Sequence, residues 1–126
     1  MERLSSGSTW EERSGYSRAV VSNGFVFVSA TAATGQDGEV LCKGDLHGQT
    51  RAIFLKLEEV LTRAGSGLDR VVQTRLYITD IARWAEAGRA HAEVFGDARP
   101  AMSLVHVLPF LDPDMLIEGE LVAAVG

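Results

Sequence analysis

Residues 16–30 read YSRAVVSNGFVFVSA, two β-prone runs on either side of Asn23-Gly24. Asn-Gly tolerates the positive φ angles that a two-residue hairpin turn demands, so the stretch is expected to fold as antiparallel strands over about 16–21 and 25–30. In the second strand Phe25, Phe27 and Ser29 share one face, and Val26, Val28 and Ala30 share the other. Both faces are mostly apolar, which predicts a strand covered on both sides.

Working outward, residues 1–14 are polar apart from Trp10 and are expected to form an irregular lead-in. They contain no apolar run of the kind that opens a secretory leader. Downstream, Gly35 and Asp37-Gly38 mark turns. Asp45 then stands as an N-cap before a helical stripe of Leu46, Ile53, Leu57, Val60, Leu61 and Ala64, which Gly65 ends. A strand follows over about 69–79. A second helix is expected over about 81–95, with a stripe of Ile81, Trp84, Ala85, Gly88, His91, Ala92 and Phe95, and Gly96 ends it. The run RPAMSLVH at 99–106 begins a strand at its proline. The loop LPFLDPD leads to a last strand, MLIEGELVAAV. Two strands, helix, strand, helix and two strands predict a single α+β domain over 1–126, with both helices on one face of a mixed sheet. The other face carries apolar residues in several strands. A monomer would expose them, so a closed homo-oligomer is expected.

Composition narrows the function. The chain has 126 residues, of which 46% are hydrophobic, and a net charge of −5. Lys43 and Lys56 are the only lysines and the arginines are scattered, so no basic patch for nucleic acid is expected. Cys42 is the sole cysteine, which excludes an intrachain disulfide and a multi-cysteine metal site. His47, His91 and His106 lack metal-ligand spacing. No apolar run approaches membrane-spanning length, and a reducing cytoplasm is the expected compartment.

Several colinear segments then resemble one family. They are Gly15-Tyr16-Ser17-Arg18-Ala19-Val20, Phe27-Val28-Ser29, Gly44-Asp45 with Gln49-Thr50-Arg51, Thr74 to Asp80 (TRLYITD), Phe95-Gly96 with Arg99-Pro100-Ala101, and Ile117-Glu118-Gly119-Glu120. In this order and spacing the chain resembles the Rid family, also called YjgF or L-PSP, from about Ser5 to Val125. The resemblance implies a chorismate-mutase-like α+β fold, a homotrimer, and small-molecule ligands in clefts between subunits. It implies no metal and no organic cofactor. The family's deaminating members hydrolyse enamines and imines such as 2-aminoacrylate to a 2-keto acid and ammonia, and other members carry endoribonuclease or translation-inhibitor names.

Residue by residue, Tyr16, Ser29 and Glu118 match family site positions. Deaminating relatives have RPARS where this chain has RPAMS, so Met102 stands in place of the arginine that grips the substrate carboxylate. Leu104 corresponds to a frequent cysteine and Gly88 to an asparagine. Methionine offers no donor, and losing one hydrogen bond to a charged group costs roughly 1.5–3 kcal/mol. Strand alternation groups Met102 with Leu104 and His106, an apolar wall with one imidazole that suits a larger or more apolar ligand. His106 is either an acid–base group there or a packed interface histidine. Gly88 either opens space or permits close packing. Arg75 shares a face with Gln73 and Tyr77, and is either a substitute anchor or one half of an inter-subunit ion pair. Arg18 follows Tyr16 and Ser17 closely and either reaches the same cleft or, the favoured reading, is a solvated strand residue. Glu118 is the expected water-orienting group and Tyr16 a hydroxyl donor to the ligand.

Overall fold

A computed structural model describes residues 1–126. A six-stranded sheet in the order β1-β2-β3-β6-β4-β5 is backed by two long helices. The strands are β1 (Glu2–Leu4), β2 (Ala19–Ser22), β3 (Phe25–Ala32), β4 (Val71–Ile78), β5 (Ala101–His106) and β6 (Ile117–Ala124). Only β4 and β5 run parallel, so the sheet is mixed as expected.

The Asn23-Gly24 hairpin forms, with φ of 52° and 83° at its two turn residues. Helix α2 (Leu46–Arg63) also begins and ends as expected. Asp45 accepts from the Gly48 backbone N–H at 2.8 Å. Gly65 follows the helix with φ 82°, a conformation that costs glycine nothing. Every residue of the predicted α2 stripe is buried, and Phe54 is buried with them.

Other expectations need correction. The lead-in is not irregular. Residues Glu2–Leu4 form β1 along β2, and Thr9–Ser14 form a short helix, α1. Ser8 caps α1 by accepting from the Trp10 and Glu11 N–H groups, and Gly15 closes it in the left-handed region. Both elements are too short to show a hydrophobic period. Trp10 remains exposed, with the Arg13 guanidinium 5.3 Å from its ring centre.

The second helix, α3 (Trp84–Phe95), follows a 3₁₀ turn at Ile81–Arg83 and is rotated from the expected stripe. It buries Ala87, Ala90, His91 and Phe95, while Ile81 and Trp84 are exposed and Gly88 is half-buried. Alanines flank the helix on both sides, so close packing rather than residue bulk chooses its inner face. Phe54, His91 and Phe95 form an aromatic cluster between α2 and α3, with centroids 4.6–5.7 Å apart. Thr74 hydrogen-bonds His91 at 2.8 Å, and burial pulls that imidazole below its usual pKa. A β-bulge between Val71 and Gln73 turns Val72 outward.

Alternation sends Val26, Val28, Thr74, Leu76, Ile78, Ile117, Leu121 and Ala123 into the helix-backed core. The opposite sheet face is open in the single chain. Phe25 and Phe27 are 41% and 49% exposed, so the chain by itself covers β3 on one side. Gly119 marks the closest approach of sheet to helix: a Cβ there would stand 3.1 Å from Leu76 Cδ2 and 3.2 Å from Ile53 Cγ2. Gly119→Val is therefore expected to lower stability by about 1–3 kcal/mol through overpacking, read from the urea midpoint at unchanged m-value.

Candidate functional site

Strand order divides the expected site residues into two groups. Tyr16, Ser29 and Glu118 belong to the loop before β2, to β3 and to β6. Met102, Leu104 and His106 lie on β5, at the far edge of the sheet. With strands about 4.8 Å apart, β3 and β5 are separated by about 14 Å within one chain. Glu118 on β6 is nearer to β5 but points to the opposite face from Met102, so the two groups do not meet within one chain.

The β5 residues alternate as expected, and register with β4 defines their side. Met102 pairs with Thr74, Leu104 with Leu76 and His106 with Ile78, so all three share the helix-side face. Leu104 packs partly against the core, whereas Met102 and His106 are exposed at the edge. Gly88 has no atom within 4 Å of a Cβ position, so close packing does not require a glycine there.

On the open face β6 presents Glu118 and Glu120 together, opposite Tyr77 and Arg75 of β4. The Tyr77 hydroxyl donates to Glu120, and Arg75 Nη1 lies 3.6 Å from the same carboxylate. Arg75 thus has an ion-pair partner in its own chain. Glu118 has no such partner. Burial pushes its carboxyl above the usual glutamate range, and Arg18 pulls in the opposite direction.

Around Tyr16 the structure gathers groups whose arrangement no sequence pattern announces. Arg18 is buried, not solvated. Its Nη1 donates to Ala30 O at 2.9 Å and to Thr31 Oγ1 at 2.7 Å, and Nη2 reaches the Tyr16 hydroxyl at 3.4 Å. Its Nε is 3.5 Å from Glu11 Oε2. Glu11 is buried in turn, and accepts from Ser5 Oγ, the Ser6 N–H and Ser6 Oγ. Burial works to raise the Glu11 pKa. The hydrogen bonds from Ser6 and Ser5, with the charge of Arg18, outweigh it and hold the carboxyl below its ordinary value. Ser29 Oγ donates to Ser17 O at 2.8 Å, which ties the Tyr16 loop to β3. Lys56 of α2 donates to Ala32 O and Thr34 Oγ1 at 3.0 and 2.8 Å. A polar cavity of about 350 Å³ opens beside this cluster, with Tyr16, Ser17 and Glu11 among its lining residues. The one sequence signal is an acid and a base, Glu11 and Arg18, on either side of Gly15, a pattern equally common on solvated surfaces.

A family model described as Endoribonuclease L-PSP matches residues 8–125. The chain belongs to the L-PSP family. A solved structure of a YjgF/YER057c/UK114 family member from Mycobacterium tuberculosis is 41% identical, covers 98% of both chains and has a TM-score of 0.87. An uncharacterized protein of Streptomyces coelicolor is 35% identical over 127 residues, covering 100% of this chain and 93% of that one. A RutC family protein of Pyrococcus abyssi is 32% identical over 108 residues, 86% of this chain and 84% of its own length. The L-PSP assignment agrees with the mixed sheet and two backing helices. No group of His, Cys, Asp or Glu in this member is arranged to hold a metal, and no helix is long and apolar enough to cross a membrane.

The Glu11–Arg18 pair is expected to carry much of the stability of the N-terminal region. Glu11→Gln leaves a buried guanidinium without its counter-charge and is expected to cost about 3 kcal/mol at pH 7. Because the folded-state pKa is depressed, the pair's stabilisation is present above the unfolded glutamate pKa and is lost as pH falls through the folded value. Thermal melts of the two proteins should therefore converge under acid conditions and stay apart at neutral pH.

Proposed function

We propose that the protein assembles as a homotrimer, binds a small metabolite in its inter-subunit clefts, and hydrolyses an enamine or imine other than 2-aminoacrylate. The observation that carries this reading is the partly buried, unpaired Glu118 close to the Arg18–Tyr16 cluster. A carboxyl with a raised pKa can donate a proton to an enamine carbon and then take one from water. Water adds to the imine carbon so formed, the carbinolamine collapses, and the products are a carbonyl compound and ammonia. Tyr16 donates a hydrogen bond to the ligand, Ser29 holds the loop that carries it, and Met102, Leu104, His106 and Gly88 shape the wall supplied by a neighbouring copy. Arg75, already paired with Glu120, borders the open face. Trimer assembly is supported by the exposed Phe25 and Phe27 and by the uncovered β5 edge, surfaces that a soluble monomer does not ordinarily leave open. Cys42, exposed and unpaired, fits a reducing cytoplasm.

A second reading, a trimer that binds a metabolite or partner without turnover, is favoured by Met102. No arginine stands at the position where deaminating relatives clamp the carboxylate. RNA cleavage has the weakest support despite the family's name. Arg18, Arg51, Arg75 and Arg83 are all committed to glutamates, and the net charge is −5.

Light scattering on a sizing column is expected to give three times the 13.6 kDa chain mass; a monomer would overturn the cleft. With enzymatically generated 2-aminoacrylate, little or no turnover is expected, and Met102→Arg should raise it by about tenfold or more, the worth of a recovered charged hydrogen bond. Across a panel of other imines, turnover that Glu118→Gln lowers by about 100-fold or more supports hydrolysis. Melting shifts with small acids or aromatics but no turnover support the binding reading.

A further inference from the structure

Arg18 makes contacts that a purely structural residue does not need. A guanidinium has five N–H donors and no acceptor, so at the Arg18–Tyr16 contact the phenol oxygen must accept. The phenol's own proton then points elsewhere, and Tyr16, 38% exposed, is free to donate it outward. The guanidinium carbon also lies 5.6 Å from the Tyr16 ring centre, so charge and hydrogen bond together hold the ring.

Arg18 is itself over-determined. The register slip between Val28 and Thr31 leaves Ser29 and Ala30 without partners on β6, and their carbonyls receive Nη1 at 3.4 and 2.9 Å. Thr31 Oγ1 and Glu11 fill its remaining contacts. The same stretch of β3 continues to Ala32, which is register partner to Glu118 and whose carbonyl holds Lys56. Of the two cations on this stretch of β3, Arg18 is the one whose charge acts on the Glu118 carboxyl. On its other flank Glu118 has Tyr77 as ladder partner, and Glu120 and Arg75 stand two positions along, already engaged with each other.

We propose that Arg18 is a positioning residue for the site: one guanidinium, locked by Glu11 and the bulged segment of β3, orients the Tyr16 phenol as a donor and sets the positive field at the Glu118 carboxyl. This rests on the reading that Tyr16 and Glu118 are the reacting pair. It also gives this chain a fixed cation near the site although position 102 holds methionine. Arg18 lies on the β3 side of the cleft, in the chain that supplies Tyr16 and Glu118, not on the β5 edge. The charge therefore acts through those two side chains.

The test is a ¹³C NMR titration of the Glu118 carboxyl, assigned by its loss in Glu118→Gln, together with the Tyr16 ring signal, assigned in Tyr16→Phe. Arg18→Gln is expected to raise the Glu118 midpoint and to move the Tyr16 signal. Arg18→Lys, which keeps the charge but loses the fork, should hold the midpoint near its original value while still moving Tyr16. If Arg18→Gln does not fold, the double variant Glu11→Gln/Arg18→Gln buries no lone charge and replaces it. An unchanged Glu118 midpoint and an unchanged Tyr16 signal in these variants overturn the inference, whatever the enzyme assays show. Where a turned-over imine is found, Arg18→Lys should lower kcat by about tenfold or more with KM little changed, as misplaced donors do. Failure of every imine to turn over removes the hydrolase reading and leaves the NMR result to decide the positioning role alone.

Discussion

Two helices back one face of a six-stranded sheet, and the residues on the other face must meet water or another copy of the chain. That one-sided covering sets where the core and the candidate site can lie. On the backed face, alternation delivers Val26, Leu76, Ile78, Ile117 and Leu121 to α2 and α3, and Gly119 lets Ile53 approach the sheet directly. On the open face the same alternation delivers Phe25 and Phe27 beside Ala124 and Val122, and, further along β6, Glu118 and Glu120 beside Tyr77 and Arg75.

The site is organised by charges that neutralise one another out of water. Glu11 on α1 meets Arg18 before β2, and serines at 5 and 6 fill the remaining capacity of the carboxylate. Arg18 in turn uses carbonyls that the β3 bulge has released. The N-terminal strand and helix thus hold Arg18 in place. Their removal would leave a guanidinium under Tyr16 with nothing to balance it, a far larger cost than a surface pair would carry.

Legibility depends on whether a residue's role is set locally. Asp45, the α2 stripe and Gly65 are readable because capping and a 3.6-residue period are local rules, and bulky Leu, Ile and Val leave one choice of face. The α3 stripe misleads because alanines lie on both sides and the large Trp84 faces solvent. His91 and Phe95 are buried as the stripe predicts, with Phe54 and Thr74 against His91, but Ala87 and Ala90 join them in place of Trp84, Ala85 and Ala92. The elements β1 and α1 escape detection because three and six residues are too few to show a period. Arg18 stands two residues from Tyr16 in the chain, but its burial against Glu11 depends on where α1 and β3 pack and is not readable from that spacing.

The sequence by itself determined the fold class, the hairpin, both helix-forming segments and the methionine at position 102, since each rests on neighbours within a few residues or on a colinear pattern. Only the tertiary structure decided that Arg18 is buried against Glu11 and Tyr16, that Arg75 is taken by Glu120, and that Met102 lies across the sheet from Glu118. Those facts depend on strand order and on two bulges, between Val28 and Thr31 and between Val71 and Gln73. Strand order and register arise from contacts between segments distant in the chain, and no local rule encodes them.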